Sequence, residues 1–438
     1  MKDIFYRCTI TKKDSIPQVA HLFAPWLLVG YLVSSGFVSD LSNVFAGILV
    51  LAGLILFLIN RKFEVPIVIN VMIWLGLFLS SMVFAHAILG GNIPMLFNFQ
   101  FENMRNLAIL AFIAALFSTL NIGPQFFWRM IILAGLYTFI LAILIFSEGA
   151  VRGHGWLSEA IKVGNFGVLF SLLAIVAFFG VQGRFWKFLA FVVIVSGLAI
   201  SVLSQTRAGW VAFLVAIMIL LWAFNSIDKR YFYTLLAALA ALVVSVFLMW
   251  NSLPIEARIF QAVEDVNRYF MEGYANTSVG ARLDMWYITL HAFAEKPIFG
   301  WGVVPFKETF IASVEQGVGK IQLIGGMADG FAQPHNDYMF TLYHFGLIGF
   351  IGVLAFLFTP ITYLISVVRK QKQANVNEVN KQVILLAVAG LLALEALLDF
   401  MMFNLAFNNQ ILHVVLVIVF LAIFAINTEL SKGHTKTS

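Results

Sequence analysis

Apolar runs of spanning length recur along almost all of this sequence, and no other feature constrains its fold so tightly. A helix needs about 20 consecutive, mostly apolar residues to cross the hydrocarbon core of a bilayer. About twelve such runs can be counted, at roughly 18–38, 41–59, 66–88, 104–121, 126–147, 160–180, 185–203, 208–225, 232–252, 336–358, 382–403 and 406–427. The alternative is a set of buried helices in a soluble protein. Of the 438 residues, 61% are hydrophobic and only 11% charged, too little charge to cover a soluble surface. So many long runs also cannot all hide inside one core.

Lysine and arginine set the orientation. With the N-terminus in the cytoplasm, Arg61 and Lys62, Arg184 and Lys187, Lys229 and Arg230, the stretch from Arg369 and Lys370 to Lys381, and Lys432 and Lys436 all fall on the cytoplasmic side, as the positive-inside rule requires. Both termini are then cytoplasmic. The net charge of +5 belongs to these loops and is no sign of nucleic-acid binding. The opening MKDIFYRCTITKKDS is polar and basic, and no small-residue cleavage site follows it. The first apolar run therefore reads as a retained span. A single cysteine, Cys8, excludes an intramolecular disulfide.

One connection differs from the rest. The stretch 253–334 separates the ninth and tenth spans on the side away from the cytoplasm. Apolar residues at helical spacing in ARLDMWYITLHAFAEKP (281–297) predict a folded cap there and not a linker. The expected fold is all-α and polytopic, with about 12 transmembrane helices and one large periplasmic helical loop between spans 9 and 10. Its parts are 1–252 (spans 1–9), 253–334 (the cap) and 335–438 (spans 10–12 and a cytoplasmic tail). No internal repeat is visible.

Ionisable groups at a membrane edge are costly and often functional, and four sites on the non-cytoplasmic side stand out. Arg207, in SQTRAGW (204–210), lies at the outer end of the eighth span among small residues that let other groups come close; it could equally be a snorkelling anchor. Arg282 opens a cap helix that ends before Lys296 and Pro297, with a turn at Gly300 and Gly302; alone, it reads as a surface arginine. His335 stands at the start of the tenth span, where a histidine can be a polar cap or a general base. His344, further in and on a different face, reads as a packing hydrogen bond. No second histidine or cysteine stands at metal-ligand spacing from His335. Arg152, in a short outer loop, and Asn165, inside the next span, are weak signals on their own.

Taken in order, TRAGW (206–210), an arginine-led helix ending in KPIFGWG (296–302), and PHNDYMFTLYHFGLIG (334–349) resemble the signature of the O-antigen ligase and polymerase superfamily. The resemblance covers about 201–352. It implies that Arg207 and Arg282 bind a carrier diphosphate and that His335 is the catalytic histidine, with Asn336 beside it. Arg152 and Asn165 match a looser family pattern of substrate contacts. Many relatives carry an acidic residue just before Phe-Gly-Leu-Ile-Gly, where this chain has His344. The implied activity is transfer of a glycan from undecaprenyl diphosphate to lipid A-core, on the periplasmic face of the inner membrane, in lipopolysaccharide biosynthesis. Neither metal nor cofactor is implied, the partners are membrane lipids and glycolipids, and no nucleic acid is involved. A polymerase using the same donor is the nearest alternative, with an O-linked protein glycosyltransferase third. A transporter or flippase is a rival of another class, for which Glu395 and Asp399 in the eleventh span are the best feature.

Overall fold

The computed structural model describes residues 28, 30, 31, 39–59, 65–91, 93–94, 101, 104, 106–120, 122–147, 160–204, 208–248, 255–322, 333–373, 378–403 and 411–435. Among these residues the fold is all-helical. Eight helices precede the cap: α1 (Ser39–Ile59), α2 (Ile67–Leu89), α3 (Leu110–Thr119), α4 (Pro124–Ser147), α5 (Ala160–Gly180), α6 (Arg184–Leu203), α7 (Ala208–Ile227) and α8 (Lys229–Leu248). The cap holds α9 (Ile255–Met271), α10 (Ser278–Glu295) and α11 (Phe306–Glu315). Three long helices close the chain: α12 (Asp337–Gln373), α13 (Glu378–Phe403) and α14 (Ile411–Thr435).

Seven described helices are long and apolar enough to cross a membrane: Ile67–Leu89, Pro124–Leu144, Val163–Gly180, Arg184–Leu203, Asp337–Gln373, Val379–Phe403 and Ile411–Ser431. Two shorter apolar helices accompany them, Leu107–Thr119 and Val211–Asn225. The molecule is thus a multi-pass membrane protein. Of the twelve spans expected, the first lies almost wholly outside the described residues.

α13 is the central post and is buried along nearly its whole length, packing against α5, α7, α12 and α14. Small residues set the closest crossings. A side chain at Gly197 of α6 would collide with the backbone of Gly167 and with Ser171 on α5. Such contacts hold membrane helices together where lipid offers no hydrophobic drive for association. At one end of the bundle, Gln382 of α13 accepts from the Trp128 indole at 2.9 Å and donates to the Gly180 carbonyl at 3.0 Å. That triad satisfies polar groups that would otherwise be costly inside a membrane.

The cap has its own core, which includes Tyr269, Met285, Ile288, Phe306 and Phe310. Tyr343 of α12 belongs to that core as well, because α12 is broken. At Gly346 the backbone leaves the helix (φ 60, ψ −159), a conformation open to glycine. The break releases carbonyls before it and amides after it. The turn 297–302 takes them up: Trp301 and Gly302 donate to the carbonyls of Tyr343 and His344 at 2.8 Å each, and the amides of Leu347 and Ile348 donate to Pro297 and Ile298 at 2.8 and 3.3 Å. KPIFGWG and FGLIG are therefore two halves of one joint. A Cβ at Gly300 would sit 2.6 Å from the Gly346 nitrogen, so the approach needs glycine on both strands of the joint. His344 does make a packing bond: its Nδ1 lies 2.6 Å from the Gly302 carbonyl.

Candidate functional site

The site is assembled where α10 of the cap meets the start of α12. α10 starts cleanly because Thr277 caps it, its hydroxyl accepting from the Gly280 amide at 3.0 Å. Two residues past Arg282 sits Asp284, fully buried. Its carboxylate accepts from the Lys320 amide at 2.9 Å, the Ile321 amide at 2.9 Å and the Tyr269 hydroxyl at 3.1 Å. A carboxylate so supplied anchors the 319–321 turn to α10 and fixes the rotation of that helix. Gly319, at φ +96, has no room for a Cβ, which would meet Asp284 Oδ2 at 2.7 Å. Burial first, and then the charge and hydrogen bond of Asp284, push the Tyr269 hydroxyl up to about 12.

One turn beyond Arg282, the Trp286 indole donates to the Pro334 carbonyl at 3.0 Å. Residues four apart share a helix face, and their side chains lean toward the N-terminus. The face of α10 that carries Arg282 thus also carries the residue bonded to Pro334, next to His335 in the chain. Arg282 and His335 are both half-buried there. His335 is bent into the left-handed region at φ 49, the one non-glycine among the described residues to be so. Histidine enters this region more readily than most residues, and it marks a backbone held by its surroundings.

Asn336 explains part of that constraint. Its side-chain oxygen accepts from the amides of Tyr338 and Met339 at 2.9 and 3.1 Å, which makes it the N-cap of α12. The side chain that sequence placed beside the substrate thus also positions His335 at a helix start. Next to it, Asp337 is fully buried. Tyr338 reaches across to donate to the Leu398 carbonyl of α13 at 3.1 Å, tying the site to the central post.

Asn165 is fully buried on α5, and among the described residues neither its amide nitrogen nor its oxygen has a hydrogen-bond partner. Its level can be counted from the Gln382–Gly180 anchor. About fifteen residues away along each helix, roughly 22 Å at 1.5 Å per residue, lie Asn165 on α5 and the Glu395–Asp399 stretch on α13. α7 sets the same level, for Gly209 abuts Val168 of α5 and the backbone of Ala212 hydrogen-bonds Asp399. Glu395 Oε2 and Asp399 Oδ2 are likewise buried without a partner among the described residues. Three partly unsatisfied polar side chains therefore share one level of the bundle. Arg207 and Arg152 lie outside the described residues.

Sequence reasoning missed the residues that hold the site in place: Asp284, Trp286 and Tyr338. Asp284 and Trp286 sit two and four positions after Arg282, and that spacing was the available signal. No group of three or more potential metal ligands occurs among the described residues.

The cap joint, the left-handed histidine and the arginine-bearing helix all fall in one continuous stretch. Residues 192–354 match the model of the O-antigen ligase family. An uncharacterized protein of Haemophilus influenzae is 32% identical over 213 residues, covering 47% of this chain and 51% of that protein. The chain thus spans about half the length of the curated relative it matches. The resemblance carried by TRAGW, KPIFGWG and FGLIG is upheld by the family match. Arg207, Arg282, His335 and Asn336 fall inside the matched residues; Arg152 and Asn165 precede them.

Proposed function

We propose that this protein is an O-antigen ligase, transferring a glycan from undecaprenyl diphosphate to the lipid A-core oligosaccharide at the periplasmic face of the inner membrane. The observation that supports this reading is the Trp286–Pro334 hydrogen bond, which ties the helix bearing Arg282 to the residue preceding His335. The departing group concentrates negative charge, and a guanidinium suits it because it stays charged and can grip two phosphate oxygens at once. Arg282 would do this from the cap and Arg207 from the head of α7. His335 would take the proton from the acceptor hydroxyl as that oxygen attacks the anomeric carbon. The carbon–oxygen bond to the diphosphate then breaks, and a single displacement inverts the configuration. Asn165, Asn336 and Arg152 would contact the donor. Bond energy already present in the diphosphate drives the step, so neither nucleotide nor metal is called for.

Deletion of the gene tests the reading against its nearest rival. A missing ligase leaves bare lipid A-core while carrier-linked polymer accumulates. A missing polymerase leaves core bearing a single repeat unit, and that outcome would overturn the assignment. Unaltered lipopolysaccharide would remove both.

A further inference from the structure

We propose that α9 is an interfacial helix, lying in the headgroup region of the membrane on the cap side with its apolar stripe against the acyl boundary. The helix is amphipathic in an unusual sense. The side turned to α10 carries Asp265 and Tyr269, both buried, and Tyr269 bonds to Asp284. The strongly apolar side points away from the protein. Phe260 is 66% exposed and Phe270 62% exposed, with Val263, Val266 and Met271 on the same arc, which the exposed Asn267 interrupts. Gln261, Glu264, Arg268 and Glu272 occupy a separate, polar arc. Three arcs on one helix need three environments: protein, water and something apolar.

Membrane lipid is the occupant that the chain's own path supplies. α8 ends at Leu248 with Phe247 and Leu248 both exposed, as lipid-facing residues of a span would be, and α9 begins at Ile255. The intervening residues reach at most about 20 Å when fully extended, so α9 starts within that distance of the end of α8. A second apolar patch lies on the cap itself. Ile298 and Phe299 are exposed in the joint that is hydrogen-bonded to the break in α12, and the Phe299 carbonyl lies 3.0 Å from His86 Nε2 near the end of α2. Beyond the apolar stripe, Arg268 pairs with Glu272 at 3.6 Å and lies over the Tyr274 ring. A charged group and an aromatic ring at the edge of an apolar stripe suit the interface between headgroups and water. A helix with these properties binds a bilayer by burying its apolar face a few ångströms into the boundary. The consequence is that α10, and with it Arg282, is held close to the membrane plane.

The lone cysteine makes the test direct. In a Cys8→Ser background, spin labels are placed by Phe260→Cys, Val263→Cys and Phe270→Cys, and on the polar arc by Gln261→Cys and Glu264→Cys. The protein is reconstituted in vesicles of phosphatidylethanolamine and phosphatidylglycerol. Collision rates are read with oxygen, which partitions into lipid, and with a water-soluble nickel chelate. The expected ratio of oxygen to chelate collisions exceeds one at 260, 263 and 270 and is below one at 261 and 264. Equal, chelate-dominated collisions at all five positions would overturn the proposal. So would dipolar broadening at 260, 263 and 270 that disappears on dilution with unlabelled protein, since that would make the stripe a contact between two copies of the chain. Labelled variants that retain the thermal transition of the parent exclude misfolding as the cause of either result.

Discussion

Two polar regions lie within this helical bundle, and they are built on opposite rules. At the break in α12, every backbone group named at the joint finds a partner in the 297–302 turn. At the level of Asn165, Glu395 and Asp399, polar side-chain atoms are buried without partners among the described residues. An unmet buried polar group costs about 1–3 kcal/mol, so the second region sacrifices stability that the first preserves. Closed polar sites hold a fold together; open ones are where a fold meets something else.

The largest effect is expected at His335. His335→Ala is expected to lower transfer by about 10²–10⁴-fold, the usual worth of a general base, with the protein still inserted in the membrane. A normal rate with purified donor and acceptor would remove the imidazole from the chemistry. Arg282→Lys comes next. Loss of the forked geometry should cost about 10²-fold although the charge is kept, and a wild-type rate would mean that Arg282 serves only as a surface charge. Asn165→Leu separates the two classes most cleanly. The expected rate loss is about tenfold, equivalent to one buried hydrogen bond, with a melting temperature equal to or above that of the parent. A lower melting temperature with full activity would place Asn165 among the structural residues.

The closed region predicts the reverse pattern. Gly346→Ala forces a side chain into φ 60 and against the Ile298 carbonyl, so a destabilisation of about 1–3 kcal/mol is expected, read as a lower melting temperature in detergent. The smallest effect is expected at Tyr269. Its hydroxyl is raised from 10.0 to about 12, so below pH 10.0 it is protonated in folded and unfolded chains alike and its bond to Asp284 contributes in full. As pH rises from 10.0 towards about 12 that contribution is lost. Tyr269→Phe should flatten this alkaline limb of the stability curve, and an unchanged limb would assign it to other groups.

The sequence disclosed the membrane class and the helical cap because both rest on local signals: run length for the spans and 3.6-residue periodicity for the cap. His335 was visible for the same reason, as an imidazole at an apolar boundary, whereas Arg282 alone read as a surface arginine and stood out only through the resemblance. The pairing of 297–302 with 343–348 was not visible, since glycines at those positions announce turns without saying what the turns touch. Asn336 was read only as a substrate contact because a side chain that caps a helix is spelled the same way as one that binds a sugar. Trp286 went unnoticed because an indole four residues from an arginine looks like core until its hydrogen-bond acceptor is known.

The joint at Gly346 has a consequence for anyone who would re-engineer the cap. Exchanging 253–334 for the loop of another protein would strip four main-chain groups within 343–348 of their partners. A working chimera must import the two segments as a matched pair, or else straighten the helix by restoring an ordinary residue at 346 and accept a cap that swings free.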